Sequence, residues 1–279
     1  MQVMTSTSVP SFQPAFRTVT AANSSPFTLD GTNTYLLGRD RVIVIDPGPD
    51  DPGHVTAVLE RARADGAEVA LVLVTHGHGD HLGAAPAVAA GGGPPHATKG
   101  RSHAAAPIRR WGSGDAPLTD GETVSEGGVA LRTLHTPGHA ADHVAFYWEA
   151  ERVLFSGDLI LGAGTVVLQP RDGALEEYLA SLERVAGLDM AVIAPGHGPL
   201  IEDAAARVAG YLSHRRMREG QVLDALAGGA RTPGEIVGVI YTDLDPALHP
   251  AAENTVRAHL FKLVREGRAR REGNRYHRP

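Results

Sequence analysis

Histidine and aspartate crowd together in Thr75-His76-Gly77-His78-Gly79-Asp80-His81. In extended backbone, side chains two residues apart point the same way, so His76 and His78 can grip one cation together. Gly77 and Gly79 let the chain turn tightly, which brings Asp80 and His81 back toward a second position. Imidazole and carboxylate ligands at this density suit a divalent metal, and the chemistry such a centre supports is attack by water on a carbonyl or phosphoryl group. Three later positions share the local pattern of a polar ligand on a turn beside a strand. They are His139 in Thr136-Pro137-Gly138-His139, Asp158 in Phe155-Ser156-Gly157-Asp158, and His197 in Pro195-Gly196-His197-Gly198. Each alone is weak, but with the first cluster they complete two coordination shells.

The elements that must position these residues can be read from apolar patterning. Thr32 to Gly38 followed by Arg41 to Ile45 reads as a hairpin closed by the Asp46-Pro47-Gly48-Pro49 turn. Pro52 to Ala64 is expected to be helical. Val69 to Thr75 is a continuous β-branched and aliphatic run, as in a strand buried on both faces, and it delivers His76 at its end. Leu82 to Ala90 reads as a short helix, and the Gly/Pro-rich stretch 91–117 as a long surface loop or broken helix. Val129 to Leu134, Val144 to Trp148, Val153 to Ser156 and Met190 to Ala194 are further strands, with a helix over Ala174 to Val185. Strands interleaved with helices predict an α/β class of layered sheets covered by helices.

From about Tyr211 the pattern changes to helices with short connections. Val222, Leu223 and Leu226 share one helical face, Ile236, Val237 and Ile240 a second, and Val256, Leu260, Leu263 and Val264 a third. Thr232-Pro233-Gly234-Glu235 has the N-cap hydroxyl, first-turn proline and capping-box glutamate of a helix start. Arg268 to Arg278 can form a two-stranded ribbon, and three helices plus a ribbon is the outline of a winged helix. The domains are accordingly expected at 1–210 and 211–279.

The chain has 279 residues, 42% of them hydrophobic, and no cysteine. That length supports a full core without cross-links, and disulfides, thiolate metal sites, iron–sulfur clusters and cysteine nucleophiles are excluded. Residues 1–210 hold 14 Lys and Arg against 24 Asp and Glu, while 211–279 hold 12 against 8. Such asymmetry suggests a second module able to approach a polyanion. Met1 to Ser11 has neither a basic nor an apolar signal region and no run approaches a membrane span, so a soluble cytoplasmic protein with no membrane partner is expected.

The order H-x-H-x-D-H, then His, Asp and His, resembles the metallo-β-lactamase superfamily, from about residue 15 to 205. The resemblance implies an αββα sandwich holding two divalent metal ions. His76, His78 and His139 would hold one, Asp80, His81 and His197 the other, and Asp158 would bridge them. Zinc suits imidazole and carboxylate donors, while iron, manganese and cobalt are tolerated. The bridging water would be acidified into a nucleophile at neutral pH, with Asp80 as the catalytic residue that orients it or passes a proton to the leaving group. His135 competes with His139, but the Thr-Pro-Gly turn presents His139 in the family's manner. Asp46, Asp142 and His143 are expected to support ligands, and His54, His96, His103, His214, His249, His259 and His277 to do ordinary surface or hydrogen-bonding work. Lacking cysteine, the chain departs from β-lactamases with a thiolate on the second metal, and His78 departs from the flavodiiron branch, which has a carboxylate there.

Gly31-Thr32-Asn33-Thr34-Tyr35-Leu36, Gly157-Asp158-Leu159-Ile160-Leu161-Gly162 and His214-Arg215-Arg216-Met217-Arg218-Glu219, with the winged-helix-like tail, make the chain similar to the β-lactamase-like protein 2 family. That family implies either a single-strand endoribonuclease or a thioesterase acting on acyl carriers. A ribonuclease would use Arg257, Lys262, Arg265, Arg268, Arg270, Arg271 and Arg275 on phosphates. A thioester, ester or lactone hydrolase would use the tail as a lid or pocket wall, with an arginine from 91–117 on a carboxylate or carrier phosphate. A third reading is a DNA-binding regulator whose metal domain senses a ligand. Oligomeric state is left open.

Overall fold

A computed structural model describes residues 14–64, 66–91, 108–111, 113–114, 116–229 and 231–279. Strands β1 (Phe16–Thr20), β2 (Asn33–Leu37), β3 (Arg41–Ile45), β4 (Glu68–Leu73), β5 (Ile108–Trp111), β6 (Ser113–Gly114) and β7 (Ala116–Leu118) make the first sheet. Its order is β1-β2-β3-β4-β5-β6, with β7 also on β5. Helix α1 (Pro52–Arg63) and the short α2 (Gly79–Leu82) and α3 (Ala85–Ala89) flank it. Strands β8 (Thr123–Glu126), β9 (Val129–His135), β10 (Val144–Trp148), β11 (Val153–Gly157) and β12 (Val192–Pro195) form the second sheet, in the order β12-β11-β10-β9-β8.

Side-chain alternation explains why these segments become interior strands. In β3, Ile43 and Ile45 face the core between the sheets, while Val42 and Val44 face α1 and α3. In β10, Phe146 and Trp148 enter the inter-sheet core, while Ala145 and Tyr147 pack beneath helix α4 (Ala174–Ala186). Both faces of each sheet are thus apolar, which requires helices outside and a shared core inside. Phe16, Tyr35 and Phe155 meet edge to face in that core at 5.1–5.4 Å. The architecture is the αββα sandwich.

Three local expectations differ from the structure. The hairpin turn lies at Gly38–Asp40 between β2 and β3, and Asp46–Pro49 instead leads from β3 toward α1. The helix expected over Leu82–Ala90 is two pieces, because Ala84 N–H donates to the Gly48 carbonyl at 2.9 Å. Residues 92–107 lie outside the described residues, but Ile108–Trp111, Ser113–Gly114 and Ala116–Leu118 form β5 to β7 rather than a loop. Strands β1 and β8 went unpredicted; each has an exposed face and is too short for a strong apolar pattern.

Helix α5 (Ala204–Leu226) runs unbroken past residue 210, so the chain enters the C-terminal module on a helix rather than a linker. The module adds α6 (Pro233–Ile240), α7 (His249–Arg265) and the ribbon β13 (Arg270–Glu272) and β14 (Arg275–His277) around Val222, Leu226, Ile236, Val256, Leu260 and Tyr276. The capping box at α6 is formed in both directions between Thr232 and Glu235. Thr232→Ala should lower stability by about 1 kcal/mol, the usual worth of such a cap, read as a shifted urea midpoint with unchanged slope. Among the described residues no helix is long and apolar enough to cross a membrane.

Candidate metal centre

The candidate ligands gather beyond the C-terminal ends of strands, at one edge of the sandwich. His76 and His78 follow β4, His139 follows β9, Asp158 follows β11 and His197 follows β12, while Asp80 and His81 sit on α2. Because β3 and β4 are parallel, as are β11 and β12, their C-terminal ends open on the same side. Glycine precedes each of the three separate ligands. Gly157 takes φ +47°, and a side chain on Gly196 would put a Cβ 2.7 Å from His81 Cε1 and 2.8 Å from Asp158 Oδ1. Only glycine lets those turns approach the cluster so closely.

All seven residues converge, in two groups. Donor atoms of His76, His78, His139 and Asp158 lie within 4.8 Å of one another, and so do those of Asp80, His81 and His197. In the first group His78 Nδ1 faces His76 Nε2 at 2.9 Å and His139 Nε2 at 3.1 Å. In the second, His81 Nε2 and His197 Nε2 are 3.2 Å apart, and Asp80 Oδ2 lies 3.6 Å and 3.3 Å from them. Asp158 stands between the groups. Its Oδ1 is 3.4 Å from Nε2 of both His81 and His197, and its Oδ2 is 3.4 Å from His139 Nε2 and 4.0 Å from His76 Nε2.

The outer nitrogens of the imidazoles have partners that set their tautomers. His81 Nδ1 donates to Asp46 Oδ2 at 2.8 Å, His139 Nδ1 to the Val167 carbonyl at 3.0 Å, and His197 Nδ1 to the Gly31 carbonyl at 3.2 Å. His76 Nδ1 donates to Thr75 Oγ1 at 3.0 Å, whose own proton goes to Asp46 Oδ2. With Nδ1 protonated, each of the four rings turns an Nε2 lone pair inward. Facing lone pairs repel unless something positive lies between them, and Asp158 Oδ1 is buried without a well-formed hydrogen bond. Such a donor set fits divalent cations.

Electrostatics divides the centre in the same way. Burial, with the neighbouring His81, holds His76 well below its ordinary range, and burial also lowers His139. Burial opposes charge on His81 and His197 too, but there Asp158, Asp46 and Asp80 outweigh it. His81 is raised well above its usual value and His197 is pushed up to about 9. Burial would raise both carboxyls, yet the surrounding imidazoles keep Asp158 well below the ordinary range and Asp80 below it. The carboxylates thus favour positive charge in the His81 and His197 group, which a divalent cation would supply.

The supporting residues differ in part from expectation. Asp46 is the hub: besides His81 and Thr75 Oγ1, its Oδ1 accepts the Thr75 N–H at 2.8 Å. The His143 ring packs 5.2 Å from that of His76 but hydrogen-bonds no ligand side chain; its Nε2 accepts the Asp158 backbone N–H at 3.0 Å and burial pushes its pKa down to about 3. Asp142 pairs with Arg110 at 3.3 Å rather than with an imidazole. His135 bonds the Ala141 carbonyl and lies outside both groups. The carbonyls of Gly31 and Val167 escaped sequence reading, since any residue type supplies one.

Residues 27–197 match the metallo-beta-lactamase superfamily, and 232–276 match the beta-lactamase associated winged helix domain. A beta-lactamase-like protein 2 homolog of Drosophila melanogaster is 34% identical over 274 residues, covering 90% of this chain and 88% of that protein. An atrochrysone carboxyl ACP thioesterase of Aspergillus terreus is 33% identical over 226 residues, 80% of this chain and 67% of the relative. Among solved structures, a beta-lactamase domain protein from Burkholderia ambifaria superposes with a TM-score of 0.81 at 25% identity, covering 98% of this chain and 96% of that one. A metallo-beta-lactamase family protein from Thermus thermophilus gives 0.75 at 26%, covering 96% and 99%. A histidine–aspartate centre at the strand ends of an αββα sandwich, a matched winged helix behind it and these relatives together place the chain among the hydrolases of the metallo-β-lactamase superfamily, in the β-lactamase-like protein 2 family.

Proposed function

We propose that the chain is a dinuclear metal-dependent hydrolase of acyl thioesters and related carbonyl esters. His76, His78 and His139 would hold one divalent ion and Asp80, His81 and His197 the second, with Asp158 reaching both. Zinc is the ion that this nitrogen and oxygen donor set suits best. Divalent ions held there supply Lewis acidity toward a carbonyl and acidify bound water. Asp80 is the exposed member of its group, with 29% of its side chain open against 0% for His81 and 2% for His197. Held as a carboxylate, it accepts a hydrogen bond from the attacking water and keeps its proton close to the leaving group.

The observation that carries the choice of substrate is how the C-terminal positive charge is used. Lys262 pairs with Glu219 and Glu266 at 2.7 Å, and Arg268 pairs with the same two carboxylates at 2.6 and 3.1 Å. Arg265 pairs with Asp172, Arg257 with Glu253, and Arg275 with Glu235. Of the seven residues an RNA backbone would use, only Arg270 and Arg271 have no carboxylate partner among the described residues. A phosphate chain would have to displace the chain's own carboxylates, and the counterion release that drives nucleic-acid binding would be small. An acyl substrate needs no such surface, and the Aspergillus terreus relative is named for a carrier thioester.

The test is thiol release from a panel of acyl thioesters by zinc-loaded protein, with labelled single-stranded RNA incubated in parallel. Thioester turnover should vanish on chelation and return with zinc, while the RNA stays intact. Metal-dependent RNA cleavage with the thioesters untouched would replace this reading with the nuclease one.

A further inference from the structure

We propose that the C-terminal helices position the metal centre, with Arg215 of α5 holding the segment whose carbonyl orients His139. The inference rests on reading His76, His78, His139 and Asp158 as metal ligands. Residues 163–173, between β11 and α4, belong to no strand or helix, so no strand pairing holds their backbone. Val166 and Leu168 are nevertheless buried, in the core beneath the second sheet, together with Tyr178 of α4, Tyr211 of α5 and Ala258 of α7. Between them the Val167 carbonyl accepts the His139 Nδ1 proton at 3.0 Å.

Two side chains from the C-terminal helices fasten this segment on either side of Val167. The Arg215 guanidinium donates to the Val166 carbonyl, and Thr255 Oγ1 of α7 accepts the Leu168 N–H at 3.4 Å. Arg215 is only 2% exposed, lies 5.0 Å over the Tyr178 ring, and has no carboxylate partner among the described residues. Removing a guanidinium from water carries a large desolvation penalty. A cation kept there without a counter-charge serves the contacts it does make, the Tyr178 ring and, by hydrogen bond, the backbone one residue from the carbonyl that orients His139. A ring that loses its outer acceptor can swivel and change tautomer, so its inward lone pair is no longer assured.

The effect should be confined to one group of ligands. His81 is oriented by Asp46 and His197 by the Gly31 carbonyl, both from the N-terminal half of the chain and remote in sequence from the 166–168 fastening. Outer hydrogen-bond partners typically govern metal affinity by about 10–100-fold. Arg215→Met is expected near the lower end, about tenfold, because Thr255 still holds one side.

The experiment titrates the complete protein with zinc against a chromophoric chelator and records the visible absorption of the cobalt-loaded form. Wild type should bind two equivalents. Arg215→Met should weaken one of them about tenfold and change the cobalt spectrum, Arg215→Lys should recover most of that loss, and the other equivalent should not move. Should Arg215→Met fail to fold, Thr255→Val, which keeps the side-chain shape, should weaken the same equivalent by a smaller factor. A folded variant that binds both equivalents like wild type, or loses both in parallel, overturns the positioning role. Wild-type protein that binds no cation overturns the ligand reading beneath it.

Discussion

Asp158→Asn should reduce kcat/KM toward the thioester of the proposed function by about a thousand-fold and lower the bound metal by at least one equivalent. The magnitude follows from what a divalent ion contributes at a carbonyl, several kcal/mol of charge stabilisation, with each 1.36 kcal/mol worth about tenfold in rate. The reason for choosing Asp158 is its two-sided geometry. One carboxylate oxygen stands 3.4 Å from both His81 and His197, and the other 3.4 Å from His139. Asparagine keeps the shape but turns one of those oxygens into an amide that cannot ligate, and it removes the charge that both groups share. The backbone N–H of residue 158 still reaches His143, so the turn itself should survive. Far-UV circular dichroism and an unchanged urea slope would show an intact fold. Retention of more than a tenth of wild-type kcat/KM, with two ions bound, would exclude the bridging role.

Asp46→Asn should weaken metal binding by about 10–100-fold, the range typical of a lost outer carboxylate, without altering any ligand. Asp46 is buried and directs three hydrogen bonds, to the Thr75 backbone, the Thr75 hydroxyl and His81 Nδ1. An asparagine can keep its carbonyl on the Thr75 N–H. Its amide group then faces His81 as a donor, so the imidazole proton must move from Nδ1 to Nε2. That places a proton where the lone pair should face Asp80, Asp158 and His197. Competition with a chelator measures the loss, which should fall on the His81 group. Asp46→Glu should not rescue, because the longer side chain cannot occupy a site enclosed by Thr75 and His81. Wild-type affinity in Asp46→Asn would show that the tautomer of His81 is set elsewhere.

Much of the site was legible because its chemistry is local. His76, His78, Asp80 and His81 lie within one strand-to-helix turn, where spacing alone decides which side chains share a side. Glycine before His139, Asp158 and His197 marked three more turns, and the structure shows why at Gly157 and Gly196, where no side chain fits. Asp46 was legible as a carboxylate at a strand end, although its role as hub for Thr75 and His81 was not. Which partners Asp142 and His143 meet was not legible, since adjacency in sequence says nothing about which atom of a neighbour is met. His143 meets a backbone N–H and Asp142 meets Arg110.

From the amino-acid order alone came the residue types able to bind metal, the runs that must be strands buried on both faces, and the helices of the C-terminal module. These depend on side-chain chemistry and short-period patterning, which persist whatever the rest of the chain does. Tertiary structure alone decided that the Asp158 oxygens stand 3.4 Å from His81, His197 and His139, that Gly31 and Val167 lend their carbonyls, and that Lys262, Arg265 and Arg268 are paired with Glu219, Glu266 and Asp172. The physical reason is common to all three. A charge total cannot show which charges meet, and a carbonyl carries no signature in its residue type, so both wait for the fold to bring distant segments together.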